Sequence, residues 1–466
     1  MSYFLGIDTK EAANIAAIDD DGNEISYGDL VLYCNGLQRT ISSRSLVFHF
    51  SENSVDSLCL YMACMHAKAV PLLLSPQTER DLISSLIKKY QPNYIVAPER
   101  ICHYFDGEVV EVRGNYKLLK LNSPAHRLFD QLSLLLPTSG STGSPKLVRH
   151  SYHNLEMSAK NVSQFFGLVA TDKAFLFLPM YYTMGLSVIH SHLKVGAAIV
   201  FTKSAMTDAK FWSLLKESSP TVLTGVPYSF EILKKLRFFR MKMPSLRILT
   251  QGGGKLSKEL YDDCLQYAEN NNVEFIPTYG QTEGSARMTF VEPFMSTSKK
   301  GSIGKAIPGG MLSIIDDQGY ESFEGEAAGE LVYRGPNVTL GYANSLEDLN
   351  LDDDRHGILH TGDLVERDAD GYYFIVGRKS RFLKLFGIRV ALDEIEKLIN
   401  DSFELDCACG GNDQKMIVLI TRADMTQKVS DFIVAKTGLF HQSFEVVYVE
   451  DIPRNETGKV IFNDHI

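Results

Sequence analysis

The chain has few of the features that would place it outside ordinary enzyme classes. Its seven cysteines, at positions 34, 59, 64, 102, 264, 407 and 409 of 466, form no C-x-x-C pair and have no partner histidines at zinc spacing. That excludes a zinc ribbon or a disulfide framework, and an odd, scattered set suits reduced thiols in a cytosol. Cys407-Ala-Cys409 reads as two residues on one face of a strand. No basic segment followed by an apolar core opens the sequence, so no signal peptide is expected. The most apolar long window, 174–193, is interrupted by Pro179, His190 and His192 and excludes a membrane span. Positive charge is in deficit: 47 Lys plus Arg stand against 57 Asp plus Glu, a net charge of −10 that argues against nucleic-acid partners. Internal repeats and low-complexity tracts are absent. So are a Walker loop, because Ser144-Pro145 separates the last glycine from Lys146, and the G-x-S-x-G elbow of a serine hydrolase.

What is present begins with Leu136-Pro-Thr-Ser-Gly-Ser-Thr-Gly-Ser-Pro-Lys146. A run of leucines, read as a buried strand, empties into a loop of hydroxyls and backbone N–H groups. Thr138, Ser139, Gly140, Ser141, Thr142 and Gly143 can curl around phosphate oxygens, with Lys146 adding a point charge. Alone, such a loop is more often just a mobile turn. Thr250-Gln-Gly-Gly-Gly254 follows another apolar run and opens a glycine turn where a flat ring can approach backbone. Tyr279-Gly-Gln-Thr-Glu283 offers an aromatic face, a hydroxyl and a carboxylate. His360-Thr-Gly-Asp363 puts an acid on a tight turn, suited to a ribose diol. The stretch 377–389 holds five basic residues and no acidic one, and Pro453-Arg-Asn-Glu-Thr-Gly-Lys459 carries a lysine at the tip of a glycine loop. Each also has a bland reading as a helix cap, an Asx-turn or a solvated lysine.

Taken in this order, the six segments closely resemble the adenylate-forming superfamily of acyl-CoA synthetases, peptide-synthetase adenylation domains and luciferases. Gly301-Ser-Ile-Gly-Lys-Ala-Ile-Pro-Gly309, Gly329-Glu-Leu-Val-Tyr-Arg-Gly335 and Gly341-Tyr342 extend the resemblance between them. It implies two half-reactions, formation of an acyl-adenylate from a carboxylic acid and ATP, then transfer to the thiol of CoA or of a phosphopantetheinyl carrier. It implies further that residues 138–146 wrap the β- and γ-phosphates, Thr282 bonds the α-phosphate and Glu283 holds Mg²⁺. Gly253, Gly254, Tyr279 and Gly280 would form the adenine slot, Asp363 would take the ribose and Arg378 would help fix the nucleotide. Lys459 would be the catalytic cation of adenylation. Lys384 and Gly387 would serve the thioester half-reaction after a rotation about Ser380, where the family usually has Asp or Lys. Two departures concern the tail: Phe462 replaces a common arginine, and a proline is missing from Phe440-His-Gln-Ser-Phe-Glu445.

The fold class expected is α/β. Apolar runs alternate with helical patterns through the first three-quarters, which points to layered, mostly parallel sheets. From about Gly301 short strands and turns suggest a β-rich subdomain. The charge density jumps near Gly377, and the tail reads as α+β. The expectation is therefore a large domain over 1–379 and a small mobile C-terminal lid over 380–466. For the acid, Tyr182 and Gly185 in Pro179-Met-Tyr-Tyr-Thr-Met-Gly-Leu186 match the family's acid pocket. No acidic residue lies between Lys173 and Phe201 to pair with an α-ammonium group, so an uncharged aliphatic, hydroxylated or aryl acid fits better than an amino acid. The basic run Lys234-Lys-Leu-Arg-Phe-Phe-Arg-Met-Lys242 reads as a surface helix with its turn, or as a dock for the CoA 3′-phosphate or an acidic carrier protein. The expectation is a stand-alone enzyme loading an acyl or peptidyl carrier protein, which the compact length suits, or an acyl-CoA ligase; an enzyme that stops at the acyl-adenylate and a degenerate nucleotide-binding interaction protein are the alternatives.

Overall fold

The computed structural model describes residues 3–137, 146–379, 381–385, 388–412, 414–454 and 460–462. They form two compact units, one made of residues 1–311 with 333–359 and the other of 312–332 with 360–466.

The first unit is built on two large sheets. Runs such as Leu46–Phe50, Val70–Leu74 and Tyr94–Pro98 are buried at every position. Uninterrupted apolar strands are what a parallel sheet covered on both faces requires. Those three pair in parallel with Leu132–Pro137 at one side. Antiparallel strands extend that sheet to eight, ending at Gly341–Ala343 on one edge and Glu108–Arg113 on the other. In the second sheet six strands run parallel in the order Glu274–Tyr279, Ile248–Gln251, Val222–Gly225, Lys173–Leu176, Ala198–Phe201, Ile15–Asp19. Its edges are the three-residue strand Glu24–Ser26 and the two-residue strand Lys305–Ala306.

Several helices between the strands start on hydroxyl caps. Ser54 accepts from the Ser57 amide ahead of Val55–His66, and Ser257 from the Leu260 amide ahead of Lys258–Asn271. Ser151 and Asn154 form a reciprocal capping box on Tyr152–Phe165. Each cap satisfies amides that the first turn leaves without intrahelical partners.

The second unit carries most of a five-stranded sheet ordered Glu321–Ser322, Met311–Ile315, Ala327–Arg334, Ile358–Arg367, Tyr373–Arg378. It also holds an α+β segment: the ribbon of Phe382–Leu385 and Ile388–Ala391, helices Leu392–Phe403 and Thr426–Thr437, and the strands Cys407–Asn412, Lys415–Ile420 and Phe444–Tyr448. One local expectation fails here. Thr361-Gly-Asp363 is not a tight turn but lies within strand Ile358–Arg367, with Asp363 directly opposite Arg378. Gly362 keeps the positive φ of a turn, +71°, yet pairing with the neighbouring strand carries the chain straight through.

Candidate active site

In an open α/β sheet ligands collect outside the carboxyl ends of the parallel strands. Here there are four such ends, at Leu176, Gly225, Gln251 and Tyr279, and all but Gly225 lead into segments that the sequence singles out. Gly253 lies just past the third, at φ +78°, and a β-carbon there would stand 2.7 Å from the Tyr182 hydroxyl and 3.2 Å from Val226 Cγ1. A β-carbon on Gly254 would meet Pro227 Cγ at 3.1 Å. The structure thus sets the tyrosine expected in the acid pocket against the glycine turn of the expected adenine slot. Burial raises the Tyr182 phenol above its ordinary pKa, so it stays a neutral hydrogen-bonding group. Tyr279 is buried at the end of its strand, and its carbonyl accepts from the Met288 amide at 2.8 Å. Gly280 follows where a β-carbon would lie 1.8 Å from the Ala286 carbonyl oxygen. No larger residue lets the strand end fold under the loop that returns over it. Gly185 meets the same restriction in the first turn of helix Thr183–Val195: a β-carbon there would sit 2.3 Å from the Pro179 carbonyl oxygen.

Thr282 opens a 3-10 turn, Thr282–Gly284, and its hydroxyl shares a 2.9 Å hydrogen bond with that of Thr183. Glu283 is half-buried, and Oε1 of its carboxylate accepts from the Tyr342 hydroxyl at 2.6 Å. Burial, then the adjacent Glu283 charge, pushes the Tyr342 phenol up to about 12, so it remains a donor. Lys146 Nζ lies 5.6 Å from the centre of the Tyr342 ring and the Arg355 guanidinium carbon 4.6 Å from it. Tyr342 therefore joins the base at the end of the hydroxyl-rich loop to the acid of the YGQTE segment. Arg149 holds Tyr342 in place. Its fully buried guanidinium donates to the carbonyls of Tyr342, Leu340, Leu351 and Asp352 and pairs with Asp354 at 2.5 Å.

No three metal-binding side chains cluster among the described residues. Glu283 offers a single hard oxygen donor group, which fits an ion that takes one protein carboxylate and completes its shell with phosphate oxygens and water, as Mg²⁺ does.

In the second unit Asp363 is buried, and its Oδ1 accepts from Arg378 Nε at 2.7 Å across the strand pair. Lys384 lies on strand Phe382–Leu385 in register with Arg389. The expectations for Thr138, Ser139, Gly140, Ser141, Thr142, Gly143, Ser380, Gly387 and Lys459, and for the Lys384 side chain, fall outside the described residues. Sequence reasoning missed the roles of Thr183, Tyr342, Arg149 and Arg355; the motif Gly341-Tyr342 was the one available signal. Within the basic run, Phe238 is core and Lys234 pairs with Glu259 and Asp263, at 2.5 and 2.8 Å. A surface cavity of about 930 Å³ lies at the opposite strand ends beside Arg247 and Glu274, away from these groups.

The sequence model of the AMP-binding enzyme family matches residues 8–343. The chain belongs to that family. This AMP-binding enzyme is an acid–thiol ligase that activates a carboxylic acid as its acyl-adenylate. It is 28% identical to an indoleacetate–CoA ligase of Aromatoleum aromaticum, over 91% of this chain and 88% of the relative. It is 24% identical to a 2-succinylbenzoate–CoA ligase of Oceanobacillus iheyensis, over 95% and 94%. Its fold matches the o-succinylbenzoate CoA synthetase of Bacillus subtilis solved with its acyl-adenylate intermediate, at a TM-score of 0.77, 18% identity and coverage of 99% and 97%. No described helix of the AMP-binding enzyme is long and apolar enough to cross a membrane.

Proposed function

We propose that the enzyme is a cytosolic, Mg²⁺-dependent acid–CoA ligase in which the described groups bind ATP and the acid at one set of strand ends. The carboxylate of the acid attacks the α-phosphorus of ATP; the new O–P bond forms as the bond to the bridging oxygen breaks and pyrophosphate leaves. The CoA thiol then attacks the acyl carbon, gives up its proton, and displaces AMP. Phosphoryl transfer of this kind depends on placing charge where the phosphate oxygens gain it. The observation that carries the reading is the Lys146–Tyr342–Glu283 constellation, a cation and a carboxylate held on one tyrosine beside Thr282.

In this reading Thr138, Ser139, Gly140, Ser141, Thr142, Gly143 and Lys146 take the β- and γ-phosphates, and Thr282 the α-phosphate. Glu283 would hold Mg²⁺, which supplies charge neutralisation when bound. Tyr279, Gly280, Gly253 and Gly254 take the adenine, Asp363 the ribose with Arg378 beside it, and Tyr182 and Gly185 border the acid. Residues 380–466 act as the lid. It brings Lys459 to the carboxylate for adenylation and, after turning about Ser380, Lys384 and Gly387 for thioester formation. CoA is taken as the acceptor because the relatives bear that name.

The test is ATP–pyrophosphate exchange across aliphatic, hydroxy, aryl and amino acids, followed by AMP release with CoA or a holo-carrier protein. Lys459→Ala should lower exchange by about 10²–10³-fold, the usual effect of removing one preorganised charge. Near-normal exchange in that variant would remove Lys459 from the mechanism, and AMP release driven by a carrier protein alone would replace CoA as the acceptor.

A further inference from the structure

The turn that carries Thr282 and Glu283 runs into a backbone conformation that its own residues disfavour. Thr282–Gly284 is followed by Ser285 at φ +54° and ψ +48° and by Ala286 at φ +81°. These are two successive residues with side chains in the left-handed region that favours glycine. Such residues persist only where their surroundings over-determine them. Part of the hold is local. The amides of Gly284 and Ala286 donate to the Gln281 carbonyl at 3.0 and 3.1 Å, and that of Ser285 to the Thr282 carbonyl at 3.1 Å. The left-handed pair folds the chain back so that the Ala286 carbonyl lies against Gly280.

The rest of the hold comes from residues fifty or so positions along the chain, and Asn337 is its hub. Asn337 is fully buried, and its Nδ2 donates to the Gly284 carbonyl at 2.7 Å and to the Arg287 carbonyl at 3.3 Å. One side chain thus bridges the two ends of the left-handed pair. Two carbonyl oxygens can be met only by the NH₂ of the amide, which turns Oδ1 to the Tyr333 hydroxyl, 2.7 Å away. Burial pushes the Tyr333 phenol above its ordinary range, so it keeps its proton and donates. Gly310 and Gly335 make room for that hydroxyl, since a β-carbon on them would stand 2.5 and 2.6 Å from it. Ser285 Oγ donates to the Asn337 carbonyl at 2.8 Å, and Ser158 donates to the Ser285 carbonyl at 2.9 Å. The amide and hydroxyl of Thr339 both donate to the Glu283 carbonyl at 3.0 Å. The carbonyls of Glu283, Gly284, Ser285 and Arg287 therefore each accept from a side chain outside the turn.

We propose that Asn337, oriented by Tyr333, is a positioning residue for adenylation: it holds the left-handed pair so that the Thr282 hydroxyl and the Glu283 carboxylate stay aimed at the α-phosphate and its metal. This rests on the ligase reading above, in which those two groups do that work. Asn337 itself touches no substrate. Without its amide the carbonyls of Gly284 and Arg287 are left unmet in the interior, and the turn relaxes toward ordinary φ, carrying Thr282 and Glu283 with it. Reacting groups tolerate little movement of that kind, because catalysis depends on where they are held.

The experiment is ATP–pyrophosphate exchange per folded enzyme, with whichever acid of the panel above the wild-type enzyme uses fastest. Asn337→Ala should lower kcat by about 10²-fold while the KM for the acid stays within about threefold of wild type. Tyr333→Phe keeps the amide and removes only the group that orients it, and should lower kcat by about 10-fold. Its control is Tyr27→Phe, which removes another buried phenol hydroxyl, bonded to the Ala197 carbonyl at 2.8 Å and outside the site. Both tyrosine variants lose one buried hydrogen bond and should shift urea midpoints alike, but only Tyr333→Phe should slow exchange. Should Asn337→Ala fail to fold, the two tyrosine variants decide. Equal kcat in Tyr333→Phe and Tyr27→Phe, or an Asn337→Ala enzyme within about threefold of wild type, overturns the inference. Thr282→Val tells that failure from failure of the reading on which it rests. A large loss in Thr282→Val beside either of those results sinks the inference alone. Near-normal exchange in Thr282→Val takes the turn out of the reaction, and the inference with it. Silence of the wild-type enzyme with every acid overturns the ligase reading and the inference together.

Discussion

Tyr342 donates a 2.6 Å hydrogen bond to Glu283, and that one proton orients the carboxylate that would face the metal. Groups that orient a metal ligand commonly change affinity by about 10–100-fold when removed. Tyr342→Phe should therefore raise the Mg²⁺ concentration for half-maximal pyrophosphate exchange by that factor while the protein stays folded. An unchanged Mg²⁺ titration would show that Glu283 does not hold the ion. Glu283 and Thr282 stand out as candidate site residues in YGQTE, because the motif gathers a ring, a hydroxyl and an acid within five residues. The role of Tyr342 does not stand out. It lies 59 residues from Glu283 and reaches it only because Gly341–Ala343 pairs with Leu147–Ser151.

Among the elements, those whose signals are local were read well and those that depend on pairing were not. Val70–Leu74 is a continuous apolar run, Lys415–Ile420 is one after its first residue, and Ser54 announces its helix by a cap. Thr361-Gly-Asp363 carries turn chemistry yet lies in a strand, since the ladder to Tyr373–Arg378 outweighs the local preference. Glycines divide in the same way. Gly36 and Gly185 both lie in helices, but a β-carbon on Gly36 meets nothing within 4 Å, whereas on Gly185 it meets backbone at 2.3 Å. Gly36→Ala should stabilise the protein by about 0.4–1 kcal/mol through the unfolded chain. Gly185→Ala should destabilise it by about 1–3 kcal/mol, because the overlap is with a carbonyl that cannot rotate away. Urea midpoints of the two variants check this; a shift of the same sign in both would sink it.

For the whole molecule, four buried imidazoles set the response to acid. Burial holds His49, His150 and His190 neutral down to about 3 and His192 to about 4. The unfolded chain protonates them near 6.5, so between about 6.5 and 4 it binds protons that the folded chain does not. Stability is thus complete above about pH 6.5 and declines as the pH falls, by up to about 1.4 kcal/mol per pH unit for each group. Urea midpoints should drop steeply below about pH 6.5, and His190→Gln, which removes the ring bonded to Tyr61, should flatten the slope. Midpoints that hold steady down to about pH 5 would contradict it. At the periphery, the large sheets close on strands of two or three residues at three of their four edges. Glu108–Arg113 is the long exception, with Val109 and Val112 exposed. It carries Glu108, Glu111 and Arg113, and Arg113 is tied back to Asp56 at 3.4 Å. A neighbouring molecule seeking to add a strand there would have to bury those charges, which guards the long edge of these two sheets against seeding aggregation.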